Sequence, residues 1–183
     1  MCPVQLSKFD NSSYDPGRRL FVQILWYFLG KPLLRTSLIP SSAPRRWLLK
    51  IFGAKIGKRI VIKPGIRVKY PWLLEIGDDA WIGEDVWIDN LAPVYIGSNA
   101  CVSQGAYLCT GNHDWTDPAF GLRVAAISIR DGAWVGAKAT ICPGVELAEC
   151  AVAAAGSVVT RNLEAYTIYA GNPAVAIKAR KIR

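Results

Sequence analysis

At 183 residues the chain has room for one domain plus a short appendage, and 51% hydrophobic against 20% charged residues exclude a disordered or collagen-like protein. Its net charge of +8 is unevenly spread: residues 1–70 hold 14 Lys/Arg against 2 Asp/Glu, residues 71–160 hold 3 against 11, and residues 161–183 hold 5 against 1. The acidic middle breaks any continuous phosphate-tracking groove, so no nucleic-acid partner is expected.

Residues 1–54 read as a helical, amphipathic N-terminal segment. The apolar run 20–29 (LFVQILWYFL) contains Gln23 and is far shorter than the roughly 20 residues of a membrane-spanning helix. Arg18 and Arg19 precede it, and Lys31 and Arg35 follow. That arrangement suits a helix packed on the rest of the protein, and it equally suits peripheral membrane contact through residues 18–35. A second helix, 44–52, is expected after the Ser41-Ser42 turn, ending near Gly53.

From Ile56 the chain repeats with a period of six. Inward aliphatics are expected at Ile56, Ile62, Val68, Ile76, Ile82, Ile88, Ile96, Val102, Leu108, Ile129, Val135, Ile141, Leu147, Ala153 and Val159, and a small residue commonly follows four positions later. Six is neither the 3.6 of a helix nor the simple alternation of a hairpin strand. A prism with three short faces returns to the same inward position at every sixth residue, so the fold class is an all-β solenoid of about five coils over residues 55–169. Three phase breaks interrupt the series: two residues are inserted before Ile76, two before Ile96, and fifteen before Ile129. The last insertion makes a loop, 109–128, of the kind that carries function in a regular solenoid. Residues 170–183 read as a basic C-terminal tail.

Five cysteines, Cys2, Cys101, Cys109, Cys142 and Cys150, form no C-x-x-C pair, and no secretory signal precedes them. They read as reduced thiols of a cytoplasmic protein. His113 is the sole histidine, so no metal centre is expected and the imidazole is free to act as a base near neutral pH.

The repeats, together with FGAKIG at 52–57, YPW at 70–72, CTGNHD at 109–114 and AGNPA at 170–174, resemble the hexapeptide-repeat acyltransferases, within them the sugar O-acetyltransferases of exopolysaccharide biosynthesis. The resemblance implies a left-handed parallel β-helix, acetyl-coenzyme A as donor substrate, a saccharide acceptor, and a homotrimer with active sites between subunits. It makes His113 the catalytic base and the backbone N–H of Ala137 the oxyanion donor. Trp134, Gly136, Ala155, Gly156, Thr160, Arg161, Asn172, Pro173 and Lys178 fall on its donor-binding positions. Asp89, Asn90, Asn112, Asp114 and Trp115 are candidates for the acceptor, with Asp114 also able to orient the imidazole and Trp115 to stack on a sugar ring. Related galactoside acetyltransferases carry an acceptor-binding Asn where Asp89 stands, so the acceptor itself stays open. Two alternatives accompany this reading: N-acylation of an amino-sugar nucleotide or acetylation of another small alcohol, and a non-catalytic scaffold.

Overall fold

The structure, a computed structural model, describes residues 3–183; Cys2 lies outside the described residues. From Lys55 onward the chain winds into a left-handed parallel β-helix of three faces. The first face stacks Lys55–Ile56, Leu74–Ile76, Val94–Ile96, Ile127–Ile129 and Glu146–Leu147 in parallel. The second begins at Val61–Ile62 and ends at Thr167–Gly171; the third runs from Arg67–Val68 to Val158–Val159. Five complete coils result, with the start of a sixth where Leu163 bridges to Leu147.

The register explains the phase breaks. Successive partners on the first face are Lys55, Glu75, Tyr95, Ser128 and Glu146, giving coils of 20, 20, 33 and 18 residues. The two-residue insertions are absorbed at corners, and the fifteen-residue one leaves the solenoid as an arm. All fifteen expected aliphatics point inward, none more than 9% exposed. Each such burial of an Ile, Leu or Val contributes roughly 1.5–3 kcal/mol, so the column of inward side chains is the main source of stability.

Corners are set by backbone conformation and by the coil above. Asp79, Asp85 and Asn99 adopt left-handed φ of 56–58°, the region short polar side chains tolerate best. At Gly136 a Cβ would stand 2.5 Å from the Ala155 nitrogen, so only glycine lets consecutive coils close there.

The N-terminal segment caps the first coil. Helix 20–35 contains a π-helical turn, Trp26–Gly30, directly before Pro32. Proline lacks the N–H that would bond back to Phe28 and crowds that carbonyl, so the backbone widens one turn earlier. The widened turn seats Trp26 inward, where it is 1% exposed, donates from Nε1 to the Val68 carbonyl at 3.2 Å and packs on Phe52. Helix Ser42–Ile51 starts two positions before the expected 44, with the Ser41 hydroxyl accepting from the Ala43 N–H. Its Ser42 hydroxyl bonds both the N–H and the carbonyl of Ile62, closing the open edge of the second face. Arg45 is buried without a carboxylate partner; its guanidinium donates to the carbonyls of Leu34, Thr36, Ile39 and Ser41 and ties the two helices together.

Packing therefore claims one stripe of helix 20–35 (Trp26, Gly30, Leu34), while Leu20, Phe21, Tyr27, Phe28, Leu29 and Leu33 remain exposed. No helix among the described residues is long and apolar enough to cross a membrane. The C-terminal segment differs from the expected tail. Residues Ala174–Ala179 turn back as a strand antiparallel to Thr167–Gly171 and cover the last edge of the second face, because alternating Ala, Val and Ile there continue a strand pattern.

Candidate functional site

The arm that leaves the third coil is a β-hairpin, Gly111–His113 paired antiparallel with Leu122–Val124. His113 faces Leu122 in this register, and its ring stacks on Phe120 with centroids 4.5 Å apart and planes 12° from parallel. The ring of Phe9 meets it edge-on at 5.6 Å. Nδ1 of His113 lies 2.8 Å from the Phe120 carbonyl oxygen. A carbonyl can only accept, so the bond requires the proton on Nδ1 and leaves the Nε2 lone pair available as a base. Phe9 reaches this place because the N-terminal segment is tied to the arm by the Gln5 N–H, which donates to the Pro118 carbonyl at 2.7 Å, and to the coils by the Tyr14 hydroxyl, which donates to the Leu91 carbonyl at 2.6 Å. Burial pushes the Tyr14 phenol well up, keeping it a neutral donor.

A pocket of about 550 Å³ opens at His113, with Asn112, Asp114, Trp115 and Arg123 on its walls. Trp115 is exposed and able to lie against a ligand ring. Asp114 does not orient the imidazole: its carboxylate accepts from the Thr116 hydroxyl and N–H and pairs with Arg123, interactions that also hold its carboxyl below the usual range. The orienting group is the Phe120 carbonyl. Asn112, on the pocket wall, uses its side-chain oxygen to accept from the His113 N–H at 2.8 Å.

Asp89 and Asn90 sit elsewhere. Asn90 is fully buried and bonds both the N–H and the carbonyl of Tyr70, at 3.0 and 2.7 Å, so it is a rung between coils and not an acceptor contact. Asp89 pairs with Lys69 at 3.3 Å, accepts from the Tyr107 hydroxyl, and lines a separate cleft beside helix 20–35.

Trp134, Gly136, Ala137, Ala155 and Gly156 gather at the corner between the second and third faces, whereas Thr160 and Arg161 lie past the third-face strand Val158–Val159, on the edge from which the arm leaves two coils earlier. Trp134 is 45% exposed and donates from Nε1 to the Ser103 hydroxyl. The N–H groups of Gly136 and Lys138 are bonded to neighbouring coils, whereas the Ala137 N–H has no partner among the described residues. Ala155, Gly156, Thr160 and Arg161 follow one coil on, exposed, and a Cβ at Gly156 would meet nothing within 4 Å. Gly136, by contrast, is consumed by coil packing. Asn172 and Pro173 form the exposed turn of the C-terminal hairpin, and Lys178 is exposed on its second strand. None of these residues borders the His113 pocket. Within one chain His113 and the corner that holds Ala137 and Ala155 are on different edges of the prism.

A β-helix with a histidine-bearing arm and a stack of small residues at one corner is the architecture of a hexapeptide-repeat acyltransferase. The chain is 41% identical over 164 residues to the Escherichia coli (strain K12) protein named as a colanic acid biosynthesis acetyltransferase, WcaF, covering 90% of each chain. It superposes on the hexapeptide-repeat-containing acetyltransferase VCA0836 of Vibrio cholerae with a TM-score of 0.80 at 25% identity, covering 90% of this chain and 95% of that one. A maltose O-acetyltransferase of Clostridium difficile 630 gives a TM-score of 0.75 at 25% identity, covering 90% and 87%. No protein-family model matches. The chain belongs to the hexapeptide-repeat acetyltransferase family, and it is an acyltransferase. A non-catalytic scaffold is thereby set aside.

Two features of the site had no signal in the repeat pattern: the Phe120 carbonyl that sets the histidine tautomer, and the cover provided by Phe9. Both depend on segments outside the period-six register.

Proposed function

We propose that the chain transfers an acetyl group from acetyl-coenzyme A to a hydroxyl of a saccharide, with His113 as general base, in the building of an exopolysaccharide or cell-surface glycan. The observation that carries this reading is the bond from Nδ1 of His113 to the Phe120 carbonyl, which leaves Nε2 basic at the mouth of a pocket with polar and aromatic walls. In the direct reaction Nε2 takes the acceptor hydroxyl proton while that oxygen attacks the thioester carbonyl. The tetrahedral oxyanion is held by the Ala137 N–H, the C–S bond breaks, and the imidazolium returns the proton to the coenzyme A thiolate. Exposed small residues at Ala155 and Gly156 fit a pantetheine arm, and Arg161 and Lys178 supply charge for its phosphates.

Because the base and the donor corner occupy different edges of one prism, the reaction requires His113 of one subunit to face Ala137 of a neighbour. We read the assembly as a homotrimer, the symmetric closure of a three-sided prism. The exposed apolar side chains of helix 20–35, flanked by Arg18, Arg19, Lys31 and Arg35, support contact with an anionic membrane surface on the cytoplasmic side. Vesicle co-sedimentation checks this: binding should require anionic lipid and fall when Phe21 and Phe28 are replaced by Ser.

The test of the transfer reading is thiol release with a panel of saccharides, comparing the parent with His113→Ala. Turnover should drop by about 10²–10⁴-fold while acetyl-coenzyme A still raises the melting temperature. Turnover of the variant near the parent rate would remove His113 from the chemistry, and transfer only to amino sugars would replace O-acetylation by N-acetylation.

A further inference from the structure

We propose that the cleft between helix 20–35 and the third face is an anion-binding site that receives a carboxylate or phosphate carried by the acceptor, so that the substrate class is an acidic saccharide. The word acceptor rests on the transfer reading above; the anion site does not. The cleft measures about 960 Å³, within the range of small-molecule sites, and lies apart from the His113 pocket.

Its charge is the first argument. Four cations, Lys31, Arg35, Arg67 and Lys69, line it with one carboxylate, Asp89, which is already paired with Lys69. Lys31, Arg35 and Arg67 have no carboxylate within ion-pair distance among the described residues. On the first coil Lys55 meets Glu75 and Arg59 meets Asp79 one coil on, whereas Lys58 and Lys63 have no such ion pair among the described residues. Arg67 faces an aromatic instead, since its register partner is Trp87.

Order is the second. The Arg67 guanidinium lies 4.7 Å from the Trp87 ring, which is itself stacked on Tyr107, and the Lys31 ammonium lies 4.7 Å from the Tyr27 ring. Two charges are thus held in place by aromatic faces, which lowers the entropy cost of gripping an anion. The Lys31 ammonium is disfavoured first by burial and then by neighbouring Lys69, a strain that a bound anion would relieve. Position is the third. Asp89 is the register partner of Cys109, where the arm bearing His113 begins, so the cleft runs to the foot of that arm. An oligosaccharide anchored here by its charge extends toward the base.

The test is direct binding by titration calorimetry at about 50 mM salt, without acetyl-coenzyme A, using methyl galactoside, methyl galacturonide and galactose 1-phosphate. At least one charged probe should bind about tenfold or more tightly than the neutral one, and which one does names the source of the anion. The double variant Arg35→Gln/Arg67→Gln, both exposed side chains, should lose that preference while its melting temperature and sedimentation mass stay at the parent values. His113→Ala should keep it, so loss of catalysis and loss of the anion site read separately. Equal binding of the three probes, binding of none, or an unchanged preference in the double variant overturns the proposal. A changed sedimentation mass overturns it too, by making the cleft a subunit contact. Should the double variant fold poorly, Arg67→Gln alone carries the same comparison.

Discussion

The ring of His113 lies nearly flat on the ring of Phe120 and donates from Nδ1 to the carbonyl of that same residue, so one amino acid sets both the plane and the tautomer of the imidazole. Phe120 itself adopts a φ of 56°, unusual for a bulky side chain. Replacing it by Ala keeps the carbonyl and removes the stacked ring. The expected result is a kcat reduced by roughly tenfold, smaller than for His113→Ala, with donor affinity unchanged. Steady-state kinetics on the two variants side by side check the order.

The proposed homotrimer, with base and donor corner on neighbouring subunits, predicts the outcome of a complementation test. His113→Ala and Ala155→Trp, the latter filling an exposed position of the proposed donor groove, should each be inactive alone. Unfolded together and refolded at equal amounts, random trimers would contain about a quarter of their sites with both an intact His113 and an intact neighbouring corner. Activity near that fraction is expected; none would place both groups in one chain.

Two glycines that look alike in the repeat should behave differently. Gly136→Ala brings a Cβ to 2.5 Å from the Ala155 backbone, and nothing flexible is there to yield. It should cost several kcal/mol and lower the melting temperature by about 10 °C or prevent folding. Gly156→Ala meets open space, and its cost is the φ of 69°, about 1–2 kcal/mol. Thermal unfolding with and without coenzyme A should show the second variant folded and binding the donor less tightly.

Trp26 anchors the N-terminal helix to the first coil, and Gly30 is the residue that makes room for it, since a Cβ there would collide with the indole. Trp26→Ala should destabilise by about 3–5 kcal/mol, through the cavity it leaves and the orphaned Val68 carbonyl. Denaturant titration followed by circular dichroism measures it.

Lys31 offers a pH-dependent check. Its folded pKa lies below its ordinary value because of burial and Lys69, so its charge weakens the fold wherever it is protonated in both states. That penalty is complete below the folded pKa and disappears as pH rises from there to 10.5. Lys31→Gln should therefore melt about 1 °C higher than the parent at neutral pH and low salt; the difference should close toward pH 10.5, and added salt should remove only the part due to Lys69. A lower melting temperature at neutral pH would show that Lys31 stabilises the fold.

The solenoid was legible because a three-sided prism imposes one rule on every coil. Ile62, Ile82, Val102 and Val135 are inward for the same geometric reason, so a sum over many weak positions makes the period visible. His113 stood out as the sole imidazole on the sole long insertion. Nothing in that rule governs residues that leave the register. Asn90 and Asp89 are adjacent in sequence, and alternation of the strand sends one inward to bond Tyr70 and the other outward to Lys69. The C-terminal strand pairs antiparallel, outside the repeat. Phe9 lies over His113 although 104 positions separate them, because the N-terminal segment runs back along the arm. Sequence alone determined the prism, its inward column and the place of its histidine, since these follow from local periodicity. The tautomer of that histidine, the cationic cleft and the cover of Phe9 over the imidazole came from tertiary packing, because each depends on which distant backbone or side chain arrives beside it.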